Sequence, residues 1–229
     1  MTPAARTLVI GDIHGCHLAL DSLLKLVQPQ PQDHIILLGD VVDRGPGTPQ
    51  CIDQLMYLAQ HGHVTLIKGN HEEMMLDALS GGPYVGPWLR YGGQDVIDSY
   101  GGDFSRVPPS HVEFLSNSVD FWSDDFTICV HASLDPQVEL DEQEGNQLRW
   151  ARFTGEEDPH PSGKRVICGH TIQPFGLPAI HNDWICLDTG AYVGQFLSCL
   201  DLGNDMLYQA SQMGETRGPV PLLDVAVMM

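Results

Sequence analysis

Three times in the first eighty residues a run of apolar positions ends in Gly-Asp or Gly-Asn, and a segment with apolar residues every three or four positions follows. The runs are TLVIGD, HIILLGD and VTLIKGN. Each is strand-length and continuously apolar, which predicts strands buried on both faces rather than half-exposed ones. The segments between and after them, about Cys16 to Val27, Pro49 to Gln60 and His71 to Leu79, predict amphipathic helices. Strand and helix in alternation predict a mainly parallel sheet covered on both faces. Such sheets bind ligands beyond the carboxyl ends of their strands, where all three turns lie.

The pattern then changes. From about residue 81 to 115 the chain is rich in Gly, Pro and aromatics (GGPYVGPWLRYGGQDVIDSYGGD), which predicts a helical insertion over the sheet rather than a second domain. After it come FTICVHAS, RVICGHT, DWICLDTG, FLSCLDLG and MLYQAS, a strand-rich half with hairpin-like spacing. The last stretch, GPVPLLDVAVMM, reads as a tail or an edge segment. With no internal repeat, residues 1–229 read as one layered α/β domain carrying an insertion.

Composition narrows the partners. At 42% apolar and 18% charged residues, the 229-residue chain is neither disordered nor membrane-like. Its longest apolar runs are far short of a span, and MTPAARTLVIGD enters a strand without a leader pattern, so a cytoplasmic protein is expected. Thirty acidic against eleven basic residues give a net charge of −19, which argues against nucleic acid and anionic membranes. The six cysteines form no Cys-x-x-Cys pair and read as reduced, buried thiols. Cys16, directly after the first turn, is the one whose reactivity is open.

Five segments carry candidate chemistry: GDIHG (11–15), GDVVDRG (39–45), GNHE (69–72), VHA (130–132) and CGHT (168–171). Each follows an apolar strand and offers Asp, His or Asn. Singly, each has an ordinary account: Gly-Asp is a common turn, and Asn70 with Glu73 three residues on makes a helix capping box. A histidine on an apolar strand is more often a hydrogen-bonded core residue than a ligand. Their co-occurrence at strand ends is what those accounts leave unexplained.

With Asp12 and His14, Asp40, Asp43 and Arg44, Asn70 and His71, then His131 and His170, the chain resembles the PPP-type serine/threonine phosphatases of the calcineurin-like metallophosphoesterase superfamily. Its length and layout are similar to the small bacterial and bacteriophage members, the lambda phosphatase among them. The resemblance implies two facing mixed β-sheets with flanking helices, a fold that periodicity alone does not reach. It implies two divalent metal ions, one held by Asp12, His14 and Asp40 and the other by Asp40, Asn70, His131 and His170. The donor types suit Mn²⁺, Fe or Zn²⁺ without choosing among them, and Mn²⁺ is the expected pair. A metal-bridging hydroxide would attack phosphorus in line, with His71 as the general acid, Asp43 orienting it, and Arg44 and Arg152 holding the phosphate. Arg152 is preferred to Arg149 because the family's Trp-x-Arg spacing falls on Trp150 and Arg152.

The implied substrate is a phosphorylated protein, or a small phosphoester, with oligomeric state open. Phosphodiesterases of the superfamily end in Gly-His-x-His, whereas here Ile172 stands at the second His. Dinucleoside polyphosphate hydrolases, the alternative reading, commonly lack the acid of Asp-Arg-Gly; this chain keeps Asp43 and Glu72. Ser133 in HAS departs from the usual glycine, and the eukaryotic C-terminal element is missing, so eukaryotic regulatory partners are not implied. A non-catalytic phosphate-binding protein is the alternative of another class, against which stands the complete ligand set.

Overall fold

The computed structural model describes residues 5–229, so the first four residues of the N-terminal stretch read above lie outside it. Its first half runs β1 (Thr7–Ile10), α1 (His17–Val27), β2 (His34–Leu37), α2 (Thr48–His61), β3 (His63–Leu66) and α3 (Asn70–Leu79). The helices begin within one residue of the expected boundaries. Three short helices follow, α4 (Val85–Trp88), α5 (Gln94–Ser99) and α6 (Pro109–Ser116). The second half contains β4 (Phe121–Ser123), β5 (Thr127–Val130), α7 (Gly145–Trp150), β6 (Arg165–Cys168), β7 (Ala179–His181) and β8 (Trp184–Cys186). It ends with β9 (Phe196–Asp201), β10 (Met206–Ser211), β11 (Thr216–Pro221), α8 (Leu222–Val225) and β12 (Val227–Met228).

These strands form two six-stranded sheets, in the orders β11-β10-β9-β1-β2-β3 and β12-β7-β8-β6-β5-β4. In the first, β1, β2 and β3 are parallel, while β9 and β10 join antiparallel on the other side of β1. The sheet is therefore mixed rather than mainly parallel. Hairpin-like spacing in the second half is realised only in part: β9–β10, β10–β11 and β7–β8 are antiparallel, but β5–β6 and β6–β8 are parallel. Loops of more than thirty residues between β5 and β6 make that crossover possible.

Alternation within each strand explains the layers. Leu8 and Ile10 of β1, with Ile35 and Leu37 of β2, face α1, α2 and α3. Val9 and Ile36 point the other way and pack with Cys129, Ile167, Ile185 and Leu200 between the two sheets. The outer face of the second sheet is covered by Leu134, Leu148 and Phe153 over Ile128, Val166 and Trp184. Both faces of the central strands are thus dry, which is why they read as unbroken apolar runs, while the edge strands β4, β11 and β12 stay partly exposed.

The final stretch proves to be two edges: β11 closes the first sheet and β12 the second. Among the described residues no helix is long and apolar enough to cross a membrane. All six cysteines are buried and free. Burial pushes the Cys16 thiol up to about 12, so it is a core residue, not a reactive thiolate.

Candidate active site

Parallel β1, β2 and β3 lie side by side in register, Ile10 opposite Leu37 and Leu37 opposite Leu66. Their carboxyl ends therefore deliver GDIHG, GDVVDRG and GNHE to one place. The first two turns are stitched together: Ile13 N–H and His14 N–H both donate to the Asp40 carbonyl at 3.1 and 2.8 Å, and Gly15 N–H to that of Val41 at 2.9 Å. From the facing sheet, His131 directly follows the end of β5 at Val130, and His170 lies two residues past the end of β6 at Cys168.

The backbone there is bent into an unusual state. His14, Asp40, Asp43, Arg44 and His170 all have positive φ, between 46° and 71°. Left-handed conformation at a non-glycine residue costs on the order of 1 kcal/mol and persists only where surrounding bonds fix it. Gly39, at φ 99°, gives GDVVDRG its sharp bend. Gly45 has another reason: a Cβ there would clash with the His14 carbonyl oxygen, and one on Gly15 would meet the Gly45 oxygen at 2.6 Å. The two turns touch backbone to backbone.

Glu72 fixes the central turn. Its buried carboxylate accepts N–H groups from Gly69 (3.0 Å), Asp40 (2.8 Å), Val41 (2.7 Å) and Val42 (3.3 Å). The capping box expected of Asn70 and Glu73 is thus shifted by one residue: Gly69 precedes the helix, Asn70 is its first residue, and Glu72 reaches back. That shift frees Asn70 to point into the site. Glu73 instead binds Arg149 Nε at 2.9 Å and Trp150 Nε1 at 3.1 Å.

Asp40 lies at the centre, with one oxygen toward each half of the site. Its Oδ2 is 3.4 Å from His14 Nε2, and its Oδ1 is 3.5 Å from His131 Nε2. His131 Nε2 is also 3.0 Å from Asn70 Oδ1. Two groups of donors close enough to share an ion emerge, His14, Asp40 and His71 in one, Asp40, His131 and His170 in the other. Asp12 sits beside them, its carboxylate taking the His170 N–H at 2.9 and 3.2 Å.

Proximity alone would make His71 a ligand; electrostatics separates it. His14 and His131 each hold Nδ1 against a backbone carbonyl, of Val42 at 2.9 Å and Leu38 at 2.8 Å, leaving the Nε2 lone pair inward. Burial drives the pKa of His14 well down and lowers that of His131. Burial and the neighbouring His131 take His170 down to about 4. These are neutral imidazoles, the form that binds metal. His71 goes the other way: burial opposes its charge, but Asp40 and the Asp43 carboxylate 2.5 Å from Nδ1 outweigh it and raise the pKa. Three neutral imidazoles, a two-faced carboxylate and an amide oxygen, with no thiolate among them, fit divalent metal ions.

A cleft of about 400 Å³ opens onto Asp40, Asn70, His71 and His170. Arg44, Arg152, Tyr91, Trp150 and Tyr192 also line it. Arg44 lies 4.4 Å over the Tyr192 ring, with Nη1 3.0 Å from His14 Nε2. Arg152 is exposed at the mouth, while Arg149 is held away by Glu73 and Asp120. A larger depression, about 830 Å³ on the outside of the second sheet, contains none of these groups. Chemistry, not size, locates the site.

Sequence reasoning passed over Asp188. It follows β8 in WICLDTG, the same strand-then-acid signal that marked the other turns. It is buried, one oxygen accepting Gly190 N–H at 3.1 Å and the other without a hydrogen-bond partner. Burial first, and the Asp40 charge, push its pKa up to about 7. Tyr192 and Tyr91 gave no signal, because single aromatics on isolated helical turns have no pattern to read.

The chain is similar to Serine/threonine-protein phosphatase 1 of Salmonella typhimurium, 38% identical over 86 residues, which is 37% of this chain and 38% of that protein. It is 32% identical over 133 residues to the symmetrical bis(5'-nucleosyl)-tetraphosphatase of Methylobacillus flagellatus, covering 57% of this chain and 44% of that protein. These matches span less than half of either relative. Among solved structures, a cold-active protein tyrosine phosphatase superposes with a TM-score of 0.70 at 21% identity, over 94% of this chain and 78% of the other, a likeness of fold. Residues 5–174 match the calcineurin-like phosphoesterase family, and the chain belongs to it.

Proposed function

We propose that the protein is a metal-dependent phosphomonoester hydrolase acting on phosphoserine and phosphothreonine. The division among the four histidines supports this reading: His14 and His131 rest Nδ1 on backbone carbonyls and turn Nε2 toward Asp40, His170 stands beside them, and His71 instead rests Nδ1 on the Asp43 carboxylate, which with Asp40 raises its pKa. Asp12, His14 and Asp40 would hold one ion and Asp40, Asn70, His131 and His170 the other, with Mn²⁺ the first choice. When bound, two such ions supply a hydroxide nucleophile near neutral pH and neutralise phosphoryl charge.

The remaining chemistry belongs to the chain. Arg44 and Arg152 offer forked N–H donors to phosphoryl oxygens at the two sides of the cleft. Serine and threonine leave as alkoxides, which are poor leaving groups and need a proton as the P–O bond breaks. His71 holds that proton at Nε2, and Asp43 fixes the ring through Nδ1. Phosphoanhydride cleavage expels a phosphate instead, which needs no such donor. The His71–Asp43 pair therefore favours the alkyl ester.

A second reading, a dinucleoside polyphosphate hydrolase, draws on the name of the Methylobacillus relative and on Tyr91, Trp150 and Tyr192 beside two arginines, rings on which a base could stack. The free, buried cysteines suit a reducing, cytoplasmic compartment in either case. The test is one plate: Mn²⁺-loaded protein with a phosphoserine peptide and with diadenosine tetraphosphate at equal concentration. Higher kcat/KM on the peptide, abolished by a chelator, is the expected outcome. A preference for the dinucleotide by orders of magnitude transfers the assignment, and activity that survives complete metal removal defeats both.

A further inference from the structure

The indole of Trp88 ends on Asp43. Its Nε1–H donates to Asp43 Oδ1 at 2.9 Å, while Asp43 Oδ2 faces His71 Nδ1 at 2.5 Å. Trp88, Asp43 and His71 are each at most 1% exposed, so no solvent competes along this line. An indole N–H can only donate, so the oxygen opposite it must accept. With one carboxylate oxygen held from behind, rotation of Asp43 about its own side chain is stopped, and the other oxygen stays aimed at the imidazole.

The surroundings of Trp88 are built to keep it there. Its ring packs against Phe104 with centroids 4.9 Å apart. Gly93 leaves the space for it: a Cβ at that position would collide with the indole carbons Cδ2 and Cε2. The turn that joins α4 to α5, Leu89–Gly93, is broken at Gly92, φ 117°, and two of its carbonyls are used. Gly92 O accepts Arg44 N–H at 3.3 Å, and Tyr91 O lies 3.4 Å from Arg44 Nε. One kink in the helical insertion therefore holds two neighbours in GDVVDRG, Asp43 by a side chain and Arg44 by the backbone.

We infer that Trp88 is a positioning residue for proton delivery: through Asp43 it fixes the imidazole of His71 toward the leaving-group oxygen. The inference rests on the acid role given to His71 above. It makes the insertion, which supplies no metal donor, part of the machinery for one chemical step. Its signature is selective, because a residue that serves only the acid matters when the leaving group needs a proton and matters little when it does not.

The test compares a phosphoserine peptide with 2,4-dinitrophenyl phosphate, whose phenolate departs unaided. Two variants at position 88 are used in the Mn²⁺-loaded full chain: Trp88→Phe, and β-(3-benzothienyl)alanine, which keeps the bicyclic shape and replaces only N–H by sulfur. The expected result is a fall in kcat of about 10- to 100-fold on the peptide, a part of the 10²–10⁴ that general acid catalysis supplies. On the aryl ester the fall is less than about threefold by the same reasoning, with KM on both and bound metal per chain unchanged. Equal losses on both substrates, or none with the isosteric analogue, overturn the inference. His71→Asn is run alongside: if it separates the two substrates and position 88 does not, Trp88 alone loses its role. If His71→Asn slows both equally, the acid assignment falls and this inference with it.

Discussion

Asp40 and Asp43 are three residues apart, equally buried, and answerable to different partners. Asp40 faces histidine nitrogens on both sides, whereas Asp43 is closed in by His71 and Trp88. Asp40→Asn is expected to reduce bound metal below two ions per chain by elemental analysis. Asp43→Asn should retain both ions and lower kcat about 10²-fold or more on an alkyl phosphate, as loss of an orienting carboxylate does in other histidine sites. The arginines divide in a similar way. Arg149 bonds Glu73 and Asp120 and ties α7 to α3, so Arg149→Ala should lower the melting temperature. Exposed Arg152 has no ion-pair partner among the described residues. Arg152→Ala should leave stability unchanged and weaken inhibition by inorganic phosphate about tenfold, the scale of one charge-assisted bond.

At the level of the element, the strands and helices were legible because their apolar periodicity is clean, and the site was legible because its donors sit where each strand runs out. Less could be read of how the strands pair. A strand dry on both faces says nothing about whether a helix or another sheet covers it, so the facing sheets came from family likeness and not from pattern. Three-residue β4 and β7 are too short to register. The helix cap was misplaced by one residue because Glu72 and Glu73 are both acidic, and only the fold shows which one reaches the turn. Asp33, which belongs to no motif of the sequence, organises the start of the first sheet. Its buried carboxylate accepts from Arg6 backbone N–H at 2.9 Å, Arg6 Nη2 at 2.6 Å and Gln30 N–H at 2.9 Å. Burial opposes its charge, but these donors outweigh it and hold the pKa below the usual carboxylate range. A depressed native pKa contributes stability that is present above the unfolded pKa near 4 and lost as pH falls through the native value. Asp33→Asn should cost about 1–3 kcal/mol at pH 7 by denaturant titration. The difference from wild type should shrink as both are titrated from pH 5 toward pH 2.

The whole molecule carries −19 charges, and its cleft is one of the few places where arginines gather. Such a field repels anionic substrates in general and is screened beyond about 10 Å in 0.1 M salt. Phosphopeptides flanked by Lys and Arg should therefore be hydrolysed with about tenfold higher kcat/KM than acid-flanked ones at low salt, and the gap should close as salt rises. A preference independent of ionic strength would place the discrimination in local contacts instead. The order of strands has a consequence of another kind, for how the molecule comes into being. β1 is flanked by β2 on one side and by β9 on the other, with Leu8 opposite Asp201, and Asp12 is held by the amide of His170, 158 positions away. GDIHG, GDVVDRG and GNHE are all synthesised within the first third of the chain and bond to one another, yet β1 keeps an open edge until β9 has arrived, and His131 and His170 come only with the second sheet. Closing so long a loop precedes the contacts that reward it, which makes folding slow and leaves no competent half-molecule along the way. Metal capture then reports the last act of folding, not its beginning.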